Sequence, residues 1–330
     1  MPKEPGTARI AVDLLGGDAA PAVVVDGALR ALAADPDLRL LLVGPLNVAD
    51  EFFAALPNDD HHRVHLIATP SPAGSDGHRR PVHSSASRAA LMRANRTGTT
   101  VRAAVAAVAE GAADALVSAG DTGATVTGAA LGLGRWPGVR RPALVATMPA
   151  VAGPVVLLDV GGSLEAKPAT LARHAVLGAA YAAVLHGIRS PRVGLLSVGT
   201  EPGKGDRARL AADGVLARLT LPADARYVGL VEGYDVSLGE RADVVVTDGF
   251  TGNVLLKGIE GAYAMAGLPA GAEGAPRAAA LLGVGGTVVV CHGAARLEDI
   301  AAGIALAADL HRREVIAAVS ALHHETEVSE

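Results

Sequence analysis

Three features of this 330-residue sequence predict an α/β fold, a mostly parallel sheet with helices on both faces. Short apolar runs rich in Val, Leu and Ala alternate with helix-like stretches along the chain. Glycines, forty in all, gather where those runs end. Hydrophobic residues make up 50% of the chain and aromatic ones only 2%, so the core must be built from small aliphatic side chains with close helix–sheet packing.

The elements follow in order. Arg9–Asp13 reads as a strand, Leu14–Pro21 as a Gly-rich turn and Ala22–Ala34 as a helix. Leu38–Val43 and Val64–Ala68 are strands, followed by a Pro/Gly/Ser loop from Thr69 to Pro81 and helical patterning up to Gly111. Ala115–Ser118 is a strand and Thr122–Leu133 a helix. Ala143–Met148 and Val155–Val160 are joined by a Gly-Pro turn, which suggests an antiparallel pair. Ala166–His186 is a long helix, Val193–Val198 a strand, Asp206–Leu219 a helix, Val244–Thr247 a strand and Gly252–Ala266 a helix. Gly267–Pro276 is the clearest linker, Thr287–Cys291 a buried strand and Leu297–Leu322 one closing helix. Residues 1–322 are expected to form a single catalytic domain, with 323–330 a disordered tail.

Composition excludes several classes. A net charge of −5 and the lack of a Lys/Arg block argue against nucleic-acid binding. One cysteine rules out an internal disulfide and a multi-cysteine metal site, and fits a cytoplasmic protein. The apolar runs fall short of the ~20 residues of a spanning helix, and the polar start M-P-K-E-P-G-T does not read as a signal peptide. His61, His62 and His65 read as a solvated loop. No metal and no cofactor are expected.

One phrase occurs twice. Residues 113–123 read A-D-A-L-V-S-A-G-D-T-G and residues 242–252 read A-D-V-V-V-T-D-G-F-T-G. Each runs from strand through glycine into helix. Such a turn aims backbone N–H groups, with the helix dipole behind them, at whatever lies there, and so favours an anion. Ordinary turn and capping chemistry is the competing account.

In parallel sheets ligands bind at the carboxyl ends of strands, and polar residues crowd those ends here. They are Asp13, Gly16, Gly17 and Asp18; Gly120, Asp121, Thr122 and Gly123; Asp159, Ser163 and Lys167; Glu201 and Lys204; Asp248, Thr251, Gly252 and Asn253; and His292. Glycines with lysine make an anion cradle, and carboxylates orient cations or take protons. Gly199–Gly205 (G-T-E-P-G-K-G) is one residue short of a P-loop and lacks its Ser/Thr.

The wording and order of these blocks resemble the PlsX-type phosphate acyltransferases. The matching pieces are I-A-V-D-L-L-G-G-D-A-A-P at 10–21, the first twin phrase, R-R-P-A-L at 140–144 and L-L-D-V-G-G-S-L-E-A-K-P at 157–168. S-P-R-V-G-L-L-S-V-G-T-E-P-G-K-G at 190–205, the second twin phrase running on to Lys257, and C-H-G at 291–293 complete them. The resemblance implies a fold akin to isocitrate and isopropylmalate dehydrogenases and phosphotransacetylase. It also implies a homodimer and transfer of a fatty acyl group from acyl carrier protein to inorganic phosphate, giving acyl phosphate for phospholipid synthesis. The chain departs from the family pattern at Asp121 (usually Asn), at Gly162 and Ser163 (usually Ala-Asn), at Ala19 and at Ala294–Ala295. A helical arm of the family, associated with dimer and membrane contact, is shortened near 262–284.

On this reading Lys167, His292, Asp13 and Asp248 are the catalytic candidates. Gly16, Gly17, Asp18, Gly120, Asp121, Thr122, Gly123, Asp159, Ser163, Glu201, Lys204, Thr251, Gly252 and Asn253 bind phosphate or substrate. Cys291 is a core residue, because adjacent strand side chains face opposite ways and His292 is poorly placed to activate it. Arg135, Arg140 and Arg141 beside Trp136 are the candidate patch for an acidic carrier or a dimer face. Three alternatives stand beside this reading: transfer from coenzyme A or a specialised carrier, a nicotinamide-dependent dehydrogenase of the same fold group, and a catalytically silent binding protein.

Overall fold

The computed structural model describes residues 6–70, 100–165, 167–266 and 277–326. In chain order the first half holds β1 (Ala8–Asp13), α1 (Ala22–Ala34), β2 (Leu38–Gly44), α2 (Leu46–Ala55), a 3-10 turn (Asn58–Arg63), β3 (Val64–Ala68), α3 (100–109), β4 (Ala115–Ser118) and α4 (Thr122–Gly132). Then come β5 (Ala143–Met148), β6 (Val155–Leu158), α5 (Pro168–His186), β7 (Arg192–Leu196), α6 (Arg207–Leu216), β8 (Arg226–Val231) and α7 (Gly233–Leu238). β9 (Val244–Val246), α8 (Gly249–Met265), β10 (Ala278–Leu282), β11 (Thr287–Cys291), α9 (Leu297–Arg312) and α10 (Val315–His324) complete the series. The expected linker Gly267–Pro276 and most of the loop after Thr69 lie outside the described residues.

The chain divides into two compact units, Met1–Gly134 with Gly286–Arg312, and Arg135–Gly285 with Arg313–Glu330. The strands of the first run in the order β3-β2-β1-β4-β11, all parallel. Val12 lies opposite Val117, and Val288 opposite Leu116. Helix α9 covers β1, β4 and β11 and packs on α1. The strands of the second unit run β10-β5-β6-β9-β7-β8. Here β5 is antiparallel to β6, as the Gly-Pro turn suggested, and also to β10, which sequence reading did not find; the remaining pairs are parallel. Mostly parallel strands with helical crossovers are therefore the architecture, as the alternation predicted.

The core is aliphatic. Tyr181 and Phe52 are the largest of its fully buried side chains, and the others are mainly Val, Ala and Leu. Helix α5 is Ala-rich and buried along most of its length, from Leu171 to Ala182, so it packs tightly against β6, β7 and β9.

Two expectations are corrected. The closing helix is two helices, because Glu314 takes left-handed backbone (φ 53) between α9 and α10. The break falls where the chain leaves the first unit and enters the second. Arg312 pairs with Asp35 at the end of α1 (2.7 Å), while Arg313 donates to the Val184 and Leu185 carbonyls at the end of α5. His323, expected to open a disordered tail, is buried in α10. Its ring stacks on Trp136 and its Nε2 lies 3.1 Å from the Pro137 carbonyl.

Candidate functional site

The twin phrases lie one in each unit, as β4–α4 and β9–α8, each strand flanked by two parallel neighbours. In both units a buried aspartate ends a neighbouring strand and is followed within three residues by Gly-Gly: Asp13 after β1 and Asp159 after β6.

In the first unit Asp13 is only 1% exposed. Its Oδ2 accepts from the Ser118 hydroxyl at 2.8 Å and its Oδ1 from the Leu15 N–H at 3.1 Å, while Ser118 Oγ accepts from the Gly120 N–H. Burial raises the Asp13 pKa, against the lowering pull of these donors and of Thr100. Asp13 thus ties β1 to the turn after β4. Gly16 closes on that turn so tightly that a Cβ would lie 2.7 Å from the Gly120 nitrogen. Gly17 takes φ +112, open to glycine alone without strain, and this lets the Asp18 N–H reach the Gly293 carbonyl at 2.7 Å. Asp121 is exposed and caps α4, accepting from the Ala124 N–H at 2.7 Å. Asp and Asn cap helices about equally well, so the Asn expected from the resemblance would cap α4 no better than Asp121 does. Thr122 and Gly123 form the first turn of α4. His292 stands at the end of β11, partly exposed. Cys291 is buried, and burial, with Asp299 adding to it, pushes its thiol up to about 12. It is a core residue, as its strand position predicted.

In the second unit Asp159 is fully buried and organises the loop that follows it. Its Oδ1 accepts from the N–H groups of Leu144, Gly161 and Gly162, and its Oδ2 from the Ser163 hydroxyl at 2.8 Å. Helix α8 starts directly on this loop. A Cβ at Gly249 would lie 2.1 Å from the Ser163 carbonyl oxygen, and one at Gly252 2.0 Å from that of Asp159. The Asn253 amide donates to the Val160 carbonyl. The second twin phrase therefore needs its glycines for backbone-on-backbone contact.

Asp248 accepts from the N–H and the hydroxyl of Thr251 (2.9 and 2.8 Å) and from Arg209 Nη2 (2.5 Å). Burial works against its charge, but Thr251 and Arg209 outweigh that and hold its pKa below the usual value. Lys167 is exposed at the N-cap of α5, a helix that begins with Pro168 and has no side-chain cap. Glu201 and Lys204 are exposed on the turn between β7 and α6, where a Cβ on Gly199 would meet both side chains. Lys257, which ends the second matching block, pairs with Glu260.

Sequence reading missed Arg209, which is reached only because α6 turns it back onto β9. It also missed His174, buried in α5 with Nε2 3.3 Å from the Arg141 carbonyl. Burial pushes the His174 pKa down against the pull of Asp159. Of the basic patch, Arg135, Arg140 and Arg141 are exposed, and Arg135 donates to the Arg140 carbonyl across the buried Trp136. Among the described residues no group of three His, Cys, Asp or Glu side chains could hold a metal, and no helix is long and apolar enough to cross a membrane.

The mostly parallel strands with flanking helices define an α/β protein with the fold that phosphotransacetylases share. A phosphotransacetylase from Streptococcus pyogenes superposes with TM-score 0.61 at 18% identity, covering 94% of each chain. The EutD phosphotransacetylase from Staphylococcus aureus gives 0.59 at 19%, covering 93% and 95%. A family model described as Fatty acid synthesis protein matches residues 8–274. The phosphate acyltransferase of Thermobifida fusca (strain YX) is 41% identical over 335 residues, 91% of this chain and 87% of the relative. That of Bacillus subtilis (strain 168) is 40% identical over 254 residues, 77% and 71%. The chain belongs to this fatty acid synthesis protein family, the PlsX-type phosphate acyltransferases, and is an acyltransferase.

Proposed function

We propose that the chain moves a fatty acyl group from an acyl carrier protein thioester to inorganic phosphate, releasing acyl phosphate for phospholipid synthesis. The family match across residues 8–274 carries this reading. A phosphate oxygen attacks the thioester carbonyl carbon, the C–S bond breaks, and the carrier leaves as its thiolate. Thiols have pKa ~8.5, so that departure needs no strong acid. Phosphate already carries negative charge near neutral pH, and the protein's tasks are to position it and to stabilise the oxyanion that develops.

The reading places the anion in the second unit, at the loop Asp159–Ser163, with Lys167 and Lys204 supplying positive charge. Helix starts attract anions, and those in the two units differ. Asp121 already closes the start of α4 with its own carboxylate, whereas α5 begins uncapped at Lys167. Asp159 and Asp248 act by holding the loop and the α8 start, and Gly252 and Asn253 by seating that helix.

Arg135, Arg140 and Arg141 are assigned to docking of the acidic carrier, and a homodimer is part of the reading. Charge reversal at Arg140 and Arg141 should weaken turnover with acylated carrier and spare a small thioester; equal loss on both donors discards the patch. Incubation with palmitoyl-acyl carrier protein and phosphate, followed by mass spectrometry, tests the reaction itself.

A further inference from the structure

Arg209 joins the end of β7, the start of α6, the end of β9 and the start of α8. Its Nε donates to the Leu196 carbonyl at the end of β7 (2.8 Å) and its Nη1 to Asp206, the N-cap of α6 (2.5 Å). Its Nη2 reaches Asp248 (2.5 Å), Thr247 (3.1 Å) and the Thr251 hydroxyl (3.3 Å), at the end of β9 and the start of α8. The side chain is 11% exposed and Asp248 14%, so this pair is largely shielded from water, whereas Asp206 is 57% exposed. All three guanidinium nitrogens thus donate to groups of the protein itself.

The charge around it explains why such a group is present. Asp159, Asp206, Asp248 and Glu201 are four carboxylates on neighbouring strand-end loops of one unit, where a phosphate is proposed to sit. Uncompensated, the largely shielded Asp248 would repel that phosphate. Losing the arginine would also cut the link between the β7–α6 turn, which carries Lys204, and the Asp248–Thr251 pair at the α8 start.

The geometry points to Arg209 as a positioning residue of the transfer reaction. It neutralises Asp248 and locks the Lys204 turn to the α8 start, so that phosphate binding depends on it without its touching phosphate. This rests on the proposed acyl transfer to phosphate.

The test compares wild type, Arg209→Ala and Arg209→Lys as full chains, with palmitoyl-acyl carrier protein and inorganic phosphate varied in turn. In Arg209→Ala the phosphate KM should rise roughly tenfold or more, with the carrier KM unchanged. Arg209→Lys, which keeps the charge and loses the fork, should fall in between. A purely structural role would raise both KM values together with no rescue by lysine, and that result overturns the inference, as does a phosphate KM raised less than about threefold. If Arg209→Ala does not fold, the same threefold threshold applied to Arg209→Lys decides. Wild type that forms no acyl phosphate defeats the proposed reaction instead. Phosphate titrated by calorimetry then carries the comparison: tighter binding to wild type than to the variant upholds the role of Arg209, and equal or absent binding removes it.

Discussion

A methyl group on Gly252 would lie 2.0 Å from the carbonyl oxygen of Asp159, a distance no real Cβ adopts. The first turn of α8 therefore rests on the loop that Asp159 organises, and neither can move alone. Gly252→Ala should destabilise the protein by about 1–3 kcal/mol, as overpacking of a fixed interior does. Gly258→Ala, six residues along the same helix with open space around it, should stabilise by about 0.5–1 kcal/mol. Chemical denaturation of both variants separates the cases; equal shifts would mean that α8 does not sit on the loop as described.

Asp159 accepts four hydrogen bonds while fully buried. Asn at this position turns one acceptor into a donor facing N–H or O–H groups. Asp159→Asn should cost about 1–3 kcal/mol and abolish turnover by disordering Gly161–Ser163. A variant with wild-type midpoint and activity would show that the carboxylate does not hold the loop.

Lys167 is exposed and carries no packing role, so Lys167→Ala should leave stability within about 0.5 kcal/mol of wild type. Acyl-phosphate formation should fall by about 100-fold. Unchanged turnover would remove Lys167 from the site.

His174, His186 and His323 all have pKa values lowered by burial, with Arg313 adding to the effect at His186. A group whose folded value lies below its unfolded value stabilises the fold only while pH stays above the unfolded value, about 6.5 for histidine. The melting temperature should therefore drop as pH falls below about 6.5. A second drop should follow below about 4, where Asp35, Asp114, Asp243 and Asp248, all lowered, take up protons. Asp13 works in the opposite direction, because its raised value favours the fold at lower pH. His323→Phe keeps a ring against Trp136 and should shrink the first drop. A melting temperature flat from about pH 8 to 5 contradicts this account.

Much of the fold was legible because strand and helix periods differ and glycine marks the junctions. The strands Ala115–Ser118 and Ala143–Met148 match their predicted bounds. The break at Glu314 was not, since no glycine or proline announces its left-handed backbone. β8 and α7 were hidden by Gly229 inside the strand and by a capping box built from Glu232 and Asp235, neither of which the alternation pattern reveals. At the site, sequence placed Asp159, Lys167, Asp248 and Gly252 at strand ends. It could not show that Asn253 bonds Val160 or that Arg209 reaches Asp248 across 39 residues, because long side chains that fold back leave no periodic trace.

The central claim is that phosphate itself accepts the acyl group. Palmitoyl-acyl carrier protein incubated with the protein and isotopically labelled phosphate should yield labelled palmitoyl phosphate, with release of carrier thiol that depends on phosphate. Thioester that stays intact, or free palmitate formed at the same rate without phosphate, would contradict it.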